Sequence, residues 1–350
     1  MATYDLISDL PLTIEGYALE GRELQVGMSD PRMTTLITLQ GGREDGVGED
    51  VVYDGLDHVN LQVAGPVLPL SGEWTIDTFS KHLEELDLFP DPPVRDFSRL
   101  YRRWAFESAA LDLALRQAGK PLHEALGREA SPVSFVVSMR LGEPPTLDRL
   151  ERIAAGHPNL KFKLDPTNSW DQELVDRLVE TGRVDSLDFK GHYRGTPVDV
   201  ETDPDLYRMI AEAFPDAWLE DPDLSVPAAD EVLAPHRDRI TWDAPIHSVQ
   251  DIDDLPFAPK MINIKPSRFG PLSALFHAYD VCEERGMGAY GGGQTELGAG
   301  RGHIQYLASI FHPDTPNDVA PGGYNIPDFP EGLPDTPLAP GNRATGFSWG

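Results

Sequence analysis

The chain has 350 residues, 40% hydrophobic and 25% charged, which is the composition of a globular protein with a hydrophobic core rather than of a disordered chain. Its 29 basic and 58 acidic residues give a net charge of −29, which disfavours binding to nucleic acid and to anionic membrane surfaces. No hydrophobic segment reaches the roughly 20 residues that cross a bilayer, and the N-terminal sequence does not have the pattern of a signal peptide, so we expect a cytoplasmic protein.

The length predicts two domains, since a (β/α) barrel of about 250 residues leaves room for a smaller companion. Residues 1–128 are predicted to form the smaller, α+β capping domain. Short β-prone segments alternate with turns over residues 13–68, and the glycine-rich acidic segment 41–50 predicts a solvated hairpin. Helical periodicity follows at 75–90 and 98–118, and the second of these helices is hydrophobic enough to be buried.

Residues 129–320 repeat one pattern, in which a β-prone segment is followed by a loop and an amphipathic helix. The predicted strands lie at 133–139, 159–164, 184–189, 216–220, 238–243, 260–264, 287–290 and, with the weakest pattern, 317–319. The predicted helices lie at 146–156, 170–182, 203–214, 226–234, 248–255, 270–286 and 298–311. The alternation predicts an α/β fold with a closed (β/α)7–8 barrel of the TIM type. Residues 321–350, rich in Pro and Gly, are predicted to form a tail that packs back on the capping domain.

Two of the chain's seven lysines lie in the second predicted strand, Leu160-Lys161-Phe162-Lys163-Leu164. Because alternate residues of a strand share a face, the hydrophobic side chains would pack outward and both ammonium groups would point into the barrel. Buried ammonium groups need anions nearby. The alternative is an edge strand with two solvated lysines, and this segment alone does not separate the two interpretations.

The next three predicted strands each end in a carboxylate, namely Asp188, Glu220 and Asp243. One such residue taken alone is more often a loop residue or a helix cap than a ligand. Carboxylates at the carboxyl ends of three adjacent barrel strands, however, would converge on one wall of the barrel mouth. Their oxygens are the hard ligands that suit Mg²⁺, or Mn²⁺ in its place, so the sequence predicts a divalent cation site.

Lys265 follows the sixth predicted strand, in MINIKPSRFG. Strands two and six are opposite each other in a ring of eight, so Lys163 and Lys265 would face each other across the barrel, with the predicted cation site on the strands between them. This arrangement suits removal of a proton next to a carboxylate, because a divalent cation takes up the negative charge that develops on the substrate. The base must be neutral, and Lys161 beside Lys163 would lower the pKa of Lys163.

The series K-x-K, then D, E and D on successive strands, then K, resembles the enolase superfamily in its muconate lactonizing enzyme branch. The helical segment 102–127 resembles the segment by which that family enters its barrel, INIKPSRFG resembles its sixth-strand motif, and 286–309 resembles the region of its seventh strand. The resemblance extends over most of the chain, from the long helix of the first domain to the tail. It implies the fold predicted above and an isomerase or lyase activity.

The resemblance implies that Asp188, Glu220 and Asp243 are metal ligands and that Lys163 and Lys265 are an acid/base pair assisted by Lys161. Two motifs depart from the family, because its usual D-E-S is Asp243-Ala244-Pro245 here and its usual D-x-N is Asp188-Phe189-Lys190. Further candidates for contacts with the substrate or with the ligands are Glu296, Gln294, Lys190 and His192. For His192, Tyr193 and Arg194, in the long segment 191–203, a surface loop is the favoured interpretation. The family resemblance also implies that loops of the capping domain, within 17–33 and 52–70, help to select the substrate.

The predicted substrate is a small carboxylate, and the predicted reaction passes through an enediolate. Racemisation or epimerisation would use both lysines, whereas cycloisomerisation or syn-dehydration would use one as the base. Two alternatives stay open: an acid-sugar dehydratase, which would need a histidine near strands six or seven, and a barrel that binds metal or ligand without turnover. The spacing of Gly298, Gly300 and Gly302 does not fit a dinucleotide fingerprint, so no nucleotide cofactor is predicted. Similar proteins form dimers or octamers, so we expect a homo-oligomer.

Overall fold

A computed structural model of the protein describes residues 2–25, 31–196, 198–326, 328–341 and 343–349. The N-terminal region is α+β. Its strands are β1 (Pro11–Ile14), β2 (Gly16–Leu24), β3 (Arg32–Gly41), β4 (Glu44–Asp50) and β5 (Gly72–Thr75). Its helices are α1 (Gly55–Ala64), α2 (Ile76–Glu84), α3 (Ser98–Gln117) and α4 (Leu122–Ala125), preceded by a short 3₁₀ helix (Thr3–Leu6). β2, β3 and β4 form an antiparallel sheet, and β1 pairs with β5 in antiparallel fashion. Positions 26–30 of the predicted loop 17–33 lie outside the described residues.

The segment 41–50 forms a hairpin as predicted, because Gly41 pairs with Glu44 where the chain turns from β3 into β4. The prediction that it is solvated holds for residues 42–45 and is wrong for the rest of β4, which packs against α3. Glycine makes this contact possible, since a Cβ added at Gly48 would lie 1.9 Å from the carbonyl oxygen of Ala105. The acidic end of β4 is buried as well. Asp50 is fully buried and pairs with Arg102 of α3 at 2.8 Å, so its charge serves the interior of the capping domain and not its surface.

The C-terminal region alternates strands with helices as predicted. Its parallel strands are β6 (Val136–Met139), β7 (Lys161–Leu164), β8 (Val184–Asp188), β9 (Trp218–Glu220), β10 (Ile240–Thr241), β11 (Met261–Ile264) and β12 (Gly288–Gly291). Its helices are α5 (Asp148–Gly156), α6 (Gln172–Thr181), α7 (Pro204–Ala213), α8 (Pro227–Leu233), α9 (Val249–Asp253), α10 (Pro266–Phe269), α11 (Leu272–Arg285) and α12 (Ala299–Phe311), with 3₁₀ helices at Ala234–Arg239 and Gly322–Asn325. On β7, Phe162 and Leu164 are fully buried in the hydrophobic core, as the alternation of the sequence predicts.

The strands close into a barrel. β6 to β10 form one parallel sheet in chain order, and β11 pairs in parallel with β12. The N–H of Asn263 donates to the carbonyl oxygen of Trp242 at 2.9 Å, which joins the two sheets. Closure comes from the weak eighth segment, where Asn317 bridges Phe135 and Asp318 bridges Gly292, both in parallel orientation. These bridges place the eighth segment between the last strand and the first.

The tail returns to both regions of the protein. Leu338 pairs with Val133 at the start of the barrel, and Gly346 bridges Pro121. Phe347 packs edge-on against Trp104 of α3 at a centroid distance of 6.1 Å, and its N–H donates to Asp112 at 2.7 Å. Among the described residues, no helix is both long enough and apolar enough to span a membrane.

Candidate active site

The carboxyl ends of the barrel strands gather the predicted lysines and carboxylates in the interior. Lys163 lies on β7, Asp188 ends β8 and Glu220 ends β9. Asp243 follows β10, and Lys265 directly follows β11. All five are buried, with exposed fractions between 0% and 8%. Buried charges of this kind are tolerated in a fold when each finds an opposite charge, and the pairing divides them into two groups.

The first group, called the first wall here, consists of Lys163, Asp188 and Glu220. The Lys163 ammonium donates to Glu220 Oε1 and lies 3.3 Å from Asp188 Oδ2. Tyr290, on β12, donates its hydroxyl to Glu220 Oε2 at 2.5 Å. Asp318 adds a third carboxylate oxygen 3.6 Å from the same ammonium. One buried cation on the first wall therefore faces more than one carboxylate.

The second group, called the second wall here, consists of Asp243, Lys265 and Arg268. Lys265 Nζ lies 2.7 Å from Asp243 Oδ2, and Arg268 Nη1 lies 2.9 Å from Asp243 Oδ1. Arg268 lies on α10, one helical turn after Lys265, so both side chains reach the same carboxylate. The hydroxyl of Tyr193 adds a contact with Asp243 Oδ2 at 3.3 Å. On the second wall, one carboxylate is shared by two cations.

These contacts set the protonation of the site. Burial alone would lower the pKa of Lys163, but Glu220 and Asp188 raise it well above its usual value. Burial would likewise raise the pKa of Asp243, but Arg268 and Lys265 hold it well below its usual range. Both ions are therefore charged while only protein groups surround them. The pKa of Lys163 is not lowered by a neighbouring lysine, which was the predicted effect.

The predicted position of Lys161 inside the barrel is wrong. Its side chain is 55% exposed, and its ammonium lies 3.5 Å from Asp185 Oδ2, at the amino end of the strands. Lys161 shares a strand face with Lys163, as alternation requires, but it lies two residues closer to the open bottom of the barrel. Periodicity gives the face of a strand and not the depth along it, so the sequence could not show that one ammonium would be solvated and the other buried.

The first wall also presents donors for a metal ion. Asp188, Glu220 and Asp221 are buried, and each offers a carboxylate oxygen within 4.8 Å of the others. This donor set fits a hard divalent cation. The predicted ligands were Asp188, Glu220 and Asp243, and in this group of donors Asp221 takes the place of Asp243. Burial, together with Asp243 and Asp188, raises the pKa of Asp221 to about 7, and its oxygens accept the N–H groups of Asp243 and Ala244, each at 2.8 Å.

Lys190 lies two residues after Asp188, at the position where the family resemblance implies an Asn. Its ammonium donates to Asp188 Oδ2, and its backbone N–H donates to Asp188 Oδ1 at 3.1 Å. The same ammonium lies 3.6 Å from Asp165 Oδ1, just after β7. Lys190 is therefore in contact with a candidate metal ligand, whereas sequence reasoning gave it no defined partner.

Gln294 and Glu296 lie in the loop after β12, where the capping domain meets the barrel mouth. Gln294 is 1% exposed, donates to the hydroxyl of Tyr101 at 3.2 Å and accepts a hydrogen bond from Tyr53. Glu296 accepts the N–H of Gln294 at 2.6 Å and pairs with Arg301 at 3.0 Å. Gln294 thus connects the two domains above the site, and Glu296 holds the loop in shape.

The loop after β8 carries His192, Tyr193 and Arg194, for which a surface position was the favoured prediction. His192 is exposed, and its ring packs edge-on against Trp242 at a centroid distance of 5.7 Å. Arg194 pairs with Asp223 outside the barrel mouth. Tyr193 departs from that prediction, because its hydroxyl reaches Asp243 on the second wall.

Sequence reasoning did not find Asp221, Arg268, Tyr290 or Asp318. Arg268 could have been found, because a spacing of three from Lys265 in a short helix places both on one face. Tyr290 and Asp318 lie on strands that were predicted, so their inward positions follow from register once the barrel is closed. Asp221 gave no signal beyond its place next to Glu220, because its side chain turns inward through a left-handed backbone conformation with φ +49°.

Comparison with known families and proteins places this chain among relatives. A family model described as "Domain of unknown function (DUF8230) C-terminal domain" matches residues 129–326, and the corresponding N-terminal domain matches residues 5–125. The chain is 28% identical over 331 residues to an o-succinylbenzoate synthase of Geobacillus kaustophilus, covering 85% of this chain and 83% of that protein. It is 24% identical over 322 residues to an N-succinylamino acid racemase of Thermus thermophilus, covering 85% and 81%.

Solved structures of enolase superfamily members have the same fold. Among them is a dipeptide epimerase from Methylococcus capsulatus complexed with a Mg ion, with a TM-score of 0.67 and 19% identity, covering 90% of this chain and 92% of that one. The capped-barrel fold and the relationship to the enolase superfamily are thereby confirmed, as is the assignment to enzymes of the isomerase and lyase type.

Proposed function

Because this chain belongs to the DUF8230 family and to the enolase superfamily, we propose that it removes the proton from the carbon next to the carboxylate of a small substrate. The observation that carries the proposal is the position of two buried lysines on strands β7 and β11, each paired with carboxylates at the ends of neighbouring strands. β7 and β11 are the second and sixth strands of the barrel, so the two lysines approach the interior from opposite sides.

The carboxylates of the first wall support a divalent cation as the cofactor. Asp188 and Glu220 would hold it, and either Asp221 or Asp243 would complete the set. Mg²⁺ and Mn²⁺ suit these oxygen ligands. Such a cation, when bound, supplies stabilisation for the negative charge that develops on the substrate carboxylate.

The two lysines perform the proton transfers. One Nζ, as the free amine, takes the proton from the α-carbon, and the electron pair of the broken C–H bond moves into the carboxylate to give an enediolate. The opposite lysine, as ammonium, returns a proton to the other face, which completes a racemisation or an epimerisation. In a cycloisomerisation or a syn-dehydration the second lysine serves as a cation or an acid instead.

The substrate lies at the mouth of the barrel, beside Lys163. A cavity of about 470 Å³ opens there, lined among others by Ser138, Arg140, Arg301 and Asp318. Asp318 contacts Lys163, so the cavity adjoins the first wall. Its volume is that of a small-molecule site.

The buried histidines that follow strand β12 in the chain do not favour an acid-sugar dehydratase. His303 stacks on Phe347 of the tail at a centroid distance of 4.4 Å. His312 bonds to Asn317 at 2.7 Å and contacts Tyr279. Both rings are engaged in these packing contacts.

The test is incorporation of deuterium at the α-carbon. The protein is incubated in D₂O with Mg²⁺ and a library of N-acyl amino acids, dipeptides and cyclic acids, and the α-deuteration of each compound is followed by mass spectrometry. The double variant K163A/K265A is compared with K260N, which removes a surface lysine whose side chain is 65% exposed.

We expect the wild-type protein and K260N to label the same compounds, with the label lost on chelation of the metal and in the double variant. Deuteration that persists unchanged in the double variant would show that other groups move the proton. A protein that binds Mg²⁺ and library members but exchanges no proton would instead be a barrel that binds without turnover.

A further inference from the structure

We propose that Lys190 is an internal competitor for the divalent cation, because its ammonium neutralises Asp188 while the cation is absent and moves to Asp165 when the cation binds. The proposal rests on the proposed function in one respect, namely that Asp188 holds a divalent cation. It goes beyond it by assigning a role to a residue that replaces the family's usual Asn. The contacts of Asp188 and of Asp165 carry the argument.

The Lys190 ammonium occupies the ligand oxygen that a cation would need. It donates to Asp188 Oδ2, while the other oxygen of the same carboxylate accepts the Lys190 N–H at 3.1 Å. The side chain is 14% exposed, so water screens this pair weakly. The backbone of Lys190 lies in the left-handed region, with φ +56°, which is uncommon for a residue other than Gly, Asn or Asp. That conformation turns the chain back and brings the ammonium to a residue only two positions earlier.

A second acceptor for the same ammonium is already in place. Asp165 is 7% exposed, and its Oδ1 has no hydrogen-bond partner among the described residues, although Lys190 Nζ lies 3.6 Å away. Its Oδ2 is held by Arg140 Nε at 3.2 Å. A buried carboxylate oxygen without a hydrogen bond is costly, and a small displacement of the Lys190 ammonium would satisfy it. The lysine can therefore leave Asp188 without becoming an unpaired buried charge.

The charges around Asp188 show why one cation must yield. Its Oδ2 already faces two ammonium groups, because Lys163 lies 3.3 Å away and Lys190 donates to the same oxygen. A divalent cation bound to that oxygen would lie close to both ammonium groups in a region of low dielectric constant. Lys163 belongs to the proposed acid/base pair and also contacts Glu220, whereas Lys190 has a second acceptor in Asp165, so Lys190 is the cation that can move aside.

The competition predicts that the protein binds divalent cations more weakly than its carboxylates alone would allow. The cation can bind only to molecules in which Lys190 has left Asp188. The apparent affinity is therefore lowered in proportion to the fraction of molecules in that state. Removal of the Lys190 ammonium is therefore expected to increase the affinity for divalent cations. If Lys190 instead supported the metal ligands, its removal would decrease this affinity. Removal of Asp165 decreases affinity, because Lys190 is then left with Asp188 as its partner.

The experiment is a titration of the full-length protein with Mn²⁺, with free Mn²⁺ measured by electron paramagnetic resonance. We expect K190N to bind Mn²⁺ about 10- to 100-fold more tightly, the scale of one hydrogen bond to a charged group. Asn tolerates the left-handed backbone of position 190.

The variant D165N is expected to bind Mn²⁺ more weakly than wild type. In the double variant K190N/D165N the second substitution is expected to have no further effect, because the Lys190 ammonium is absent. K260N, which removes one charge from an exposed pair with Asp238, is the control for net charge and is expected to bind as wild type does.

Equal or weaker Mn²⁺ binding by K190N, with wild-type binding saturable, would overturn the competition. So would an effect of D165N that is the same with and without Lys190. A separate outcome concerns the proposed function: if neither wild type nor K190N binds Mn²⁺, or if D188N binds as well as wild type, the cation site itself is wrong. Circular dichroism and thermal unfolding of each variant identify a variant that has failed to fold, and in that case K190Q replaces K190N.

Discussion

The two walls of the barrel mouth hold their charges in opposite ways. On the first wall one lysine, Lys163, lies between two buried carboxylates, Asp188 and Glu220. The carboxylate of Asp221 is close enough to bind the same metal ion as these two. On the second wall one carboxylate, Asp243, lies between two cations, Lys265 and Arg268. The first wall therefore has surplus negative charge that an added cation can use, and the second wall is already compensated by its own side chains.

Carboxylates that look equivalent in the sequence can therefore have different roles in the structure. Asp188, Glu220 and Asp243 each end or follow a strand, and the sequence treats them alike. In the structure Asp243 has two cationic partners, Lys265 and Arg268, and Arg268 lies one helical turn after Lys265. We infer that the first wall sets the affinity for the metal and that the second wall sets the rigidity of the site, so substitutions on the two walls should have different effects.

The largest expected effect is on the stability of the second wall. Asp243→Asn leaves Lys265 and Arg268 without their shared carboxylate in the interior, and breaking a buried ion pair costs about 3 to 5 kcal/mol. We expect the free energy of unfolding to fall by this amount, measured by urea denaturation at neutral pH without divalent metal. Asp238→Asn is the matched control, because Asp238 is 63% exposed in its pair with Lys260, and it should change stability by less than about 0.5 kcal/mol. A small loss for Asp243→Asn would mean that the second wall is not a structural unit.

The next effect is on the affinity of the first wall for metal. Glu220→Gln is expected to weaken Mn²⁺ binding by at least about 100-fold, because loss of a supporting residue alone costs about 10- to 100-fold. Asp221→Asn tests whether the third carboxylate comes from the first wall, as the donor distances indicate. If Asp221→Asn leaves the affinity unchanged and Asp243→Asn weakens it as much as Glu220→Gln does, the metal is shared between the walls, and the contrast drawn above does not hold.

A smaller effect is expected where the capping domain touches the second wall. Tyr101 of the capping domain interacts electrostatically with Arg268 and accepts a hydrogen bond from Gln294 at 3.2 Å. Tyr101→Phe removes this hydrogen bond and keeps the ring, so we expect a loss of about 1 kcal/mol in the free energy of unfolding and no change in Mn²⁺ affinity. A change in metal affinity would show that the capping domain acts on the first wall as well.

The smallest effect is expected at Lys161, which lies on the same strand as Lys163 but outside both walls. Its pair with Asp185 is solvent-exposed, so Lys161→Ala should change stability by less than about 0.5 kcal/mol and should leave the rate of α-deuteration within about twofold of wild type. A rate loss comparable to that of Lys163→Ala would restore the assisting role that the sequence predicted for Lys161.

The fold could be predicted from the sequence because its signals are periodic. Helix α12, predicted at 298–311, spans Ala299–Phe311, and strand β11, predicted at 260–264, spans Met261–Ile264. The acidic segment 41–50 was misread because composition alone suggested a solvated turn. Its glycines allow β4 to lie against α3, and its Asp50 pairs with Arg102 of that helix. Both contacts depend on a partner far away in sequence.

The sequence predicted which residues gather at the candidate site but not which of them form ion pairs with each other. Strand ends that carry Lys163, Asp188, Glu220, Asp243 and Lys265 converge because parallel strands in a barrel end on one side. Which cation pairs with which carboxylate depends on the depth along each strand and on loop conformation. The left-handed backbone of Lys190 is an example, because it decides that this lysine reaches Asp188.

The central claim is that Lys163 and Lys265 act from opposite faces of one substrate. The most direct measurement uses the pure enantiomers of an accepted substrate in D₂O and follows α-deuteration of each by NMR in K163A and in K265A. Each variant is predicted to lose exchange of a different enantiomer by about 10²- to 10⁴-fold, the scale of general base catalysis, while exchange of the other enantiomer continues. Loss of the same enantiomer's exchange in both variants, or equal exchange of both enantiomers in each, would contradict the account.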